Sequence, residues 1–174
     1  MKVEEIKKVI RDIPDFPQKG ILFRDLTTAF KDPAAMRAMC GALTERYRDC
    51  GVTKVVGIES RGFICGSVLA YELGAGFVPV RKPGKLPADT VSMTYDKEYG
   101  TDTIEIHRDA ISSDDVVVLH DDLLATGGTM AAAYELIKGM NPKKIYISFI
   151  VELSDLKGRA VLPAGVDVDS LVIY

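Results

Sequence analysis

The residues best suited to chemistry fall in one run, Val116-Val117-Val118-Leu119-His120-Asp121-Asp122-Leu123-Leu124-Ala125-Thr126-Gly127-Gly128-Thr129. An apolar strand delivers two adjacent carboxylates to its carboxyl end, and a turn of small residues then opens a helix. In an open α/β sheet that edge is where ligands bind. No bulky side chain lies between Ala125 and Thr129, so backbone N–H groups can converge on an anion at the positive end of the helix, with the hydroxyls of Thr126 and Thr129 adding to the contact. This reads as a phosphate cradle. Asp121 and Asp122 repel a phosphate and suit vicinal hydroxyls such as those of a ribose, or a divalent metal reached directly or through water. A sugar phosphate satisfies both halves. An acid pair beside a Gly-Gly turn can also be no more than a helix cap and a tight bend, but the whole order of strand, acids, small turn and helix is far more specific.

The elements that must position this run follow from periodicity. Val3, Ile6, Val9, Ile10 and Ile13 recur at helical spacing and predict an amphipathic helix ending near Ile13-Pro14. Asp32 as N-cap and Pro33 at the first helical position start a second helix that runs to Gly51. Lys54–Ile58, Arg61–Leu73 closed by Gly74, and Phe77–Val80 then form a strand, helix, strand unit. A second unit joins Val116–Leu119 through the helix Thr129–Lys138 to the strand Ile145–Val151, with a last strand at Leu171–Tyr174. Such alternation predicts an α/β fold, a mostly parallel central sheet flanked by helices. The intervening stretch Lys82–Asp115 has two alternating runs, Val91–Tyr95 and Thr103–Ile106, and several Pro and Gly. It reads as an antiparallel hairpin projecting from the sheet, either a lid over the site or a surface decoration.

Composition sets the limits. At 174 residues the chain is sized for a single domain, and 47% hydrophobic with 27% charged residues excludes collagenous and disordered classes. The formal net charge of −3 argues against a sequence-independent grip on nucleic acid. Between Tyr95 and Asp115 seven acids face two bases, so the acidity is concentrated there and leaves the rest of the chain free to hold a small polyanion. No apolar run reaches membrane-spanning length and no signal-peptide core opens the sequence, which predicts a cytoplasmic protein. Cys40, Cys50 and Cys65 read as reduced thiols packed in helices, with a Cys40–Cys50 disulfide as the alternative. With His107 and His120 the only histidines, a structural zinc site lacks ligands.

The acid-pair run resembles the phosphoribosyl-pyrophosphate binding motif of the type I phosphoribosyltransferases, and the chain as a whole is similar to their adenine-specific members. The resemblance covers nearly the full length and rests also on Phe16–Asp25, Val56–Phe63, Val80–Pro87, Glu98-Tyr99-Gly100, Val151-Glu152-Leu153 and Leu156–Arg159. It implies the type I phosphoribosyltransferase fold over residues 1–174, with an N-terminal base-binding hood at 1–32 and a flexible hairpin lid at 82–107. It implies conversion of adenine and phosphoribosyl pyrophosphate to AMP and pyrophosphate with Mg²⁺, held mainly through the pyrophosphate, ribose hydroxyls and water, in a homodimer with the N-terminal helices or the segment around Arg81 near the interface.

On this reading Ser60 and Gly62 leave room for backbone amides to meet the pyrophosphate, and the Glu59–Ser60 peptide bond is cis. Arg61, Arg81, Lys82 and Lys85 supply the cations, forked from Arg and mobile from Lys, although a solvated basic loop fits Lys82 equally. Asp121 and Asp122 take the ribose hydroxyls, and Ala125, Thr126, Gly127, Gly128 and Thr129 take the phosphate. Glu98 acts as general acid/base toward the purine and Tyr99 helps to close the site. Phe23 stacks on the base and backbone groups of Leu22, Phe23 and Arg24 read its edge, with Leu153 on the opposite face; Phe23 and Leu153 are equally readable as core. One departure is His120, where the family is usually apolar. It either titrates near neutral pH beside the two carboxylates or is a semi-exposed spacer pointing away from the ligand, and it receives no catalytic role. Two other readings stay open: transfer to hypoxanthine, guanine or xanthine, and a nonenzymatic regulator that senses phosphoribosyl pyrophosphate.

Overall fold

A computed structural model describes residues 1–97 and 100–174. Its centre is a five-stranded parallel sheet in the order β4-β3-β7-β8-β9, formed by β3 (Lys54–Ile58), β4 (Gly76–Val80), β7 (Val116–Leu124), β8 (Lys144–Glu152) and β9 (Asp167–Ile173). The strands read as continuous apolar runs because both faces are covered. Alternate side chains feed two cores. Val55 and Val118 pack with Met39, Leu43 and Leu69 of the helices α2 (Pro33–Tyr47) and α3 (Gly62–Leu73). Val56, Val117 and Leu119 face Ala133 and Ile137 of α4 (Gly128–Lys138) on the other side.

Helix boundaries follow the local chemistry. Asp32 caps α2 by accepting the amides of Ala34 and Ala35, each at 2.8 Å, with Pro33 at the first position. Gly74, at φ 64°, closes α3 in the left-handed region.

Three expectations are corrected. The N-terminal helix stops early: a 3-10 turn covers Val3–Lys8, and β1 (Arg11–Pro14) then pairs antiparallel with β2 (Leu22–Asp25), followed by the short α1 (Thr27–Phe30). The short 3-10 segment buries Ile6, Ile10 is buried just beyond it, and Ile13 precedes a proline, which disfavours helical backbone. The strand leading to the acid pair does not end at Leu119 but carries both acids inside β7, paired with β8 as far as Leu124. The hairpin β5 (Thr90–Asp96) and β6 (Thr101–His107) is present but does not simply project. Ile104 and Ile106 are buried in the α4-side core, and Arg81 and Glu105 exchange backbone hydrogen bonds of 2.9 and 2.8 Å. Alternation in β6 marks a half-buried strand, not a solvated one. All three cysteines are free, with Cys50 just beyond α2, and among the described residues no helix is long and apolar enough to cross a membrane.

Candidate active site

The acid pair sits where β7 outruns β3. Pairing of β3 with β7 stops at Gly57 and His120, so Asp121 and Asp122 lie past the last β3–β7 pair while β7 still pairs with β8. Gly62 makes this possible, since a Cβ there would come within 2.9 Å of the His120 carbonyl and 3.1 Å of Asp121 Oδ1. Asp122 is buried and accepts Arg61 Nε at 2.6 Å. Burial, then the negative charge of Asp122, holds the Asp121 carboxyl well above the ordinary carboxylate range. Burial also raises Asp122, against the opposing pull of Arg61. Two carboxylates therefore share a single cation and still favour a further donor or positive charge. With Glu59, Ser60, Arg61 and Leu123 they line a cavity of about 350 Å³, and the Glu59–Ser60 bond is cis.

The turn beyond β7 is shaped by backbone packing against the segment 157–161. Gly127 stands at φ 85°, and a Cβ on it would meet the Gly158 carbonyl oxygen at 2.5 Å; one on Gly158 would meet the Ala125 carbonyl oxygen at 2.2 Å. Only glycine permits either contact. The far segment is fastened by Arg159, whose Nε donates to Glu152 at 3.0 Å and whose Nη1 donates to the Val168 carbonyl at 2.9 Å. Ala125, Thr126, Gly127, Gly128 and Thr129 consequently line one small cavity with Asp121 at the start of α4. Its amides and hydroxyls can receive an anion.

The expected cations are gathered but already partnered. Glu59 accepts the Lys82 amide at 2.9 Å, Arg81 Nε at 3.4 Å and the Lys85 ammonium. Burial pushes the Glu59 carboxyl up, yet Lys85, the Lys82 amide and Arg81 outweigh it and hold it down at about 2. The Lys82 ammonium reaches across to Asp102 on β6, as does Lys97. These pairings join segments about 20 residues apart, which is why composition alone missed Glu59 and Asp102 as partners. Lys82 is paired with Asp102 and still 41% exposed, so pairing and solvation coexist there.

The remaining residues meet at another edge of the sheet. Phe23 lies edge-to-face on Phe16, centroids 5.1 Å apart, and belongs to neither core; Leu22 is exposed, and Leu153 packs against the α2/α3-side core. Arg24 pairs with Asp12 and lies 4.0 Å over the Tyr174 ring. Tyr174 in turn donates its amide to Glu152 and accepts that of Ser154, so it ties the β1–β2 unit to the residues flanking Leu153. No sequence signal had marked it. Glu98 and Tyr99 lie outside the described residues.

His120 is not semi-exposed and does not titrate near neutral pH. It is fully buried, with Nδ1 3.2 Å from Ser148 Oγ, and burial lowers its pKa to about 4. Because β7 continues past it, the residue occupies mid-strand, where both faces are covered. As for metal, no group of three or more acidic, histidine or cysteine side chains among the described residues could hold an ion. The under-compensated carboxyls of half-buried Asp121 and buried Asp122 nevertheless suit a hard cation that brings its other ligands with it.

Comparison with known proteins agrees with this architecture. The model of the phosphoribosyl transferase domain matches residues 27–162. An adenine phosphoribosyltransferase of Bacteroides thetaiotaomicron is 59% identical over 172 residues, covering 99% of this chain and 98% of that protein. The solved adenine phosphoribosyltransferase of Thermoanaerobacter pseudethanolicus superposes with a TM-score of 0.92 at 47% identity, over 99% of this chain and 100% of that one. An APRTase from Giardia lamblia complexed with 9-deazaadenine gives 0.94 at 45% identity, over 100% and 98%. With a match of this extent in sequence and in fold, the chain belongs to the phosphoribosyl transferase family and, within it, to the adenine phosphoribosyltransferases.

Proposed function

We infer that the chain serves purine salvage, transferring the 5-phosphoribosyl group from phosphoribosyl pyrophosphate to adenine to give AMP and pyrophosphate. The observation that carries this reading is the acid pair, with Asp121 half-buried and Asp122 buried, set between a backbone-lined anion turn and a group of cations. The donor's 5-phosphate enters the turn Ala125–Thr129, and Asp121 and Asp122 accept hydrogen bonds from the ribose hydroxyls. The pyrophosphate displaces Glu59 and Asp102 from Arg81, Lys82 and Lys85, with Arg61 and the Ser60 amide beside it. The bond from the anomeric carbon to the pyrophosphate oxygen breaks, pyrophosphate leaves with the electron pair, and the purine nitrogen attacks the opposite side of an oxocarbenium-like centre. Here the protein stabilises charge and fixes geometry.

Mg²⁺, when bound, would neutralise part of the pyrophosphate charge, with Asp121 and Asp122 the residues that would hold it, directly or through water. The base lies between Phe23 and Leu153, with backbone groups of Leu22–Arg24 at its edge; Glu98 exchanges the purine proton and Tyr99 closes over it. Residues 1–32 act as a hood, and 82–107 as a lid on the one domain. We further place the protein in the cytoplasm as a homodimer. Exposed Ile64 and Tyr71 on α3 adjoin the sheet-edge strand β4, which leads into Arg81 and favours that segment as the interface.

Purified protein is offered phosphoribosyl pyrophosphate, Mg²⁺ and each purine in turn, and nucleotide formation is followed. AMP from adenine is expected. Turnover of guanine or hypoxanthine in place of adenine overturns the base assignment, whereas tight donor binding without turnover supports a sensor. Sedimentation of the same preparation reads the dimer, and a monomeric mass removes it.

A further inference from the structure

Tyr95 has no part in the roles given above, yet it links the hairpin to the phosphate turn. Its hydroxyl lies 2.8 Å from Thr129 Oγ1 in the first turn of α4 and 3.3 Å from Asp102 Oδ2 on β6. A phenol has one proton to give. The 2.8 Å contact allows either hydroxyl to donate; with Asp102 Oδ2 already occupied by the ammonium groups of Lys82 and Lys97 and farther away, the phenol proton is available to Thr129. A threonine hydroxyl that accepts from Tyr95 is held in orientation and keeps its own proton for another acceptor. The ring also lies over the turn: Tyr95 Cδ2 would be 3.8 Å from a Cβ on Gly128. Tyr95, Lys97, Thr126 and Thr129 line a common cavity of about 530 Å³.

Building on the donor-site reading, we propose that Tyr95 is a positioning residue for the donor's 5-phosphate: it sets the Thr129 hydroxyl as a hydrogen-bond donor and fastens the hairpin to the occupied turn. Through Tyr95 the hairpin thereby responds to the 5-phosphate end of the donor, alongside its link through Asp102 to the cations. Calorimetric titrations of ribose 5-phosphate and of Mg²⁺-pyrophosphate into the parent, Tyr95→Phe, Thr129→Val and the double variant test this.

Tyr95→Phe keeps the ring and removes only the hydroxyl. We expect it to weaken ribose 5-phosphate about fivefold, the scale of one neutral hydrogen bond, and pyrophosphate by less than about twofold. Added to Thr129→Val it should cause no further loss, because both changes remove one interaction. Unchanged ribose 5-phosphate affinity, additive losses, or equal weakening of both ligands would each overturn the proposal, the last by marking general damage to the hairpin. A parent that binds neither ligand would overturn the donor-site reading itself, and the role of Tyr95 with it.

Discussion

The turn Ala125–Thr129 is made of backbone, fixed by glycine-to-backbone contacts with Gly158, whereas the segment Arg81–Lys85 is made of charged side chains held by Glu59 and Asp102. Two anion-facing regions on one sheet edge are thus stabilised by different physics. Packed backbone resists change and presents the same amides whether or not a ligand is there. Ion pairs with one-third to one-half of the cation exposed are worth at most about 1 kcal/mol each, so an incoming polyanion can exchange with the carboxylates at little cost. The first region suits a group that stays on the sugar throughout the reaction, and the second suits one that must leave.

The same substitution placed in both regions separates them most sharply. Gly127 and Gly84 both stand at positive φ, 85° and 78°, but a Cβ on Gly84 meets nothing within 4 Å, while one on Gly127 strikes Gly158 and Val161. We expect Gly127→Ala to cost about 4 kcal/mol, from left-handed strain plus overpacking, and Gly84→Ala about 1 kcal/mol, from strain alone. Urea melts of the two variants measure this directly. Equal losses would mean that the turn is no more rigid than the cation loop.

The strand that feeds the turn offers a second way to break the contrast, through pH. Buried His120 titrates at about 4 against a usual 6.5, so between those values the unfolded chain binds more protons and stability falls as pH falls. Above about 6.5 the group has no effect. The full span amounts to about 3 kcal/mol, lost by pH 4, and His120→Val should remove that slope. The depressed carboxyls of Asp25 and Glu59, both at about 2, lose their contribution as pH falls below their ordinary values of 3.8 and 4.5, so Glu59 overlaps only the acid end of this window and does so equally in parent and variant. Denaturant melts at several pH values compare parent and variant. A variant that keeps the parent's slope would show that the β7 core is open to water.

The contrast also explains what was readable before any coordinates. The parallel sheet, the acid pair and the phosphate turn were legible because apolar runs, small residues and glycines specify backbone directly. His120 was misread because its strand was expected to end at Leu119, and no local signal marks how far a strand runs beyond its neighbour. Arg61 was read as a pyrophosphate ligand, but its attachment to Asp122, 61 residues away, depends on topology that residue types do not encode. The same holds for Asp102, Tyr95 and Tyr174, which carry no motif and matter only through what the fold brings beside them. At the N-terminus the apolar spacing was correct but was satisfied by one short turn, since periodicity over so few residues does not distinguish a helix from a turn followed by a strand.

Glu59→Gln addresses the charged region alone. The amide is nearly isosteric and still accepts the Lys82 backbone N–H, so the loop keeps its place, but the negative charge that occupies Arg81 and Lys85 is gone. Those cations then meet pyrophosphate without a competitor. Because the cations of the displaced pairs are one-third to one-half exposed and screened, the gain is modest: pyrophosphate should bind about fivefold more tightly and leave more slowly, with the difference shrinking as salt is raised. Ribose 5-phosphate, seated in the backbone turn, should bind as it does to the parent. Product-inhibition constants for pyrophosphate at two ionic strengths read the effect. Weaker pyrophosphate binding would show that Glu59 arranges these cations for the donor and does not compete with it, and the carboxylates would then belong to the binding site as much as the cations they hold.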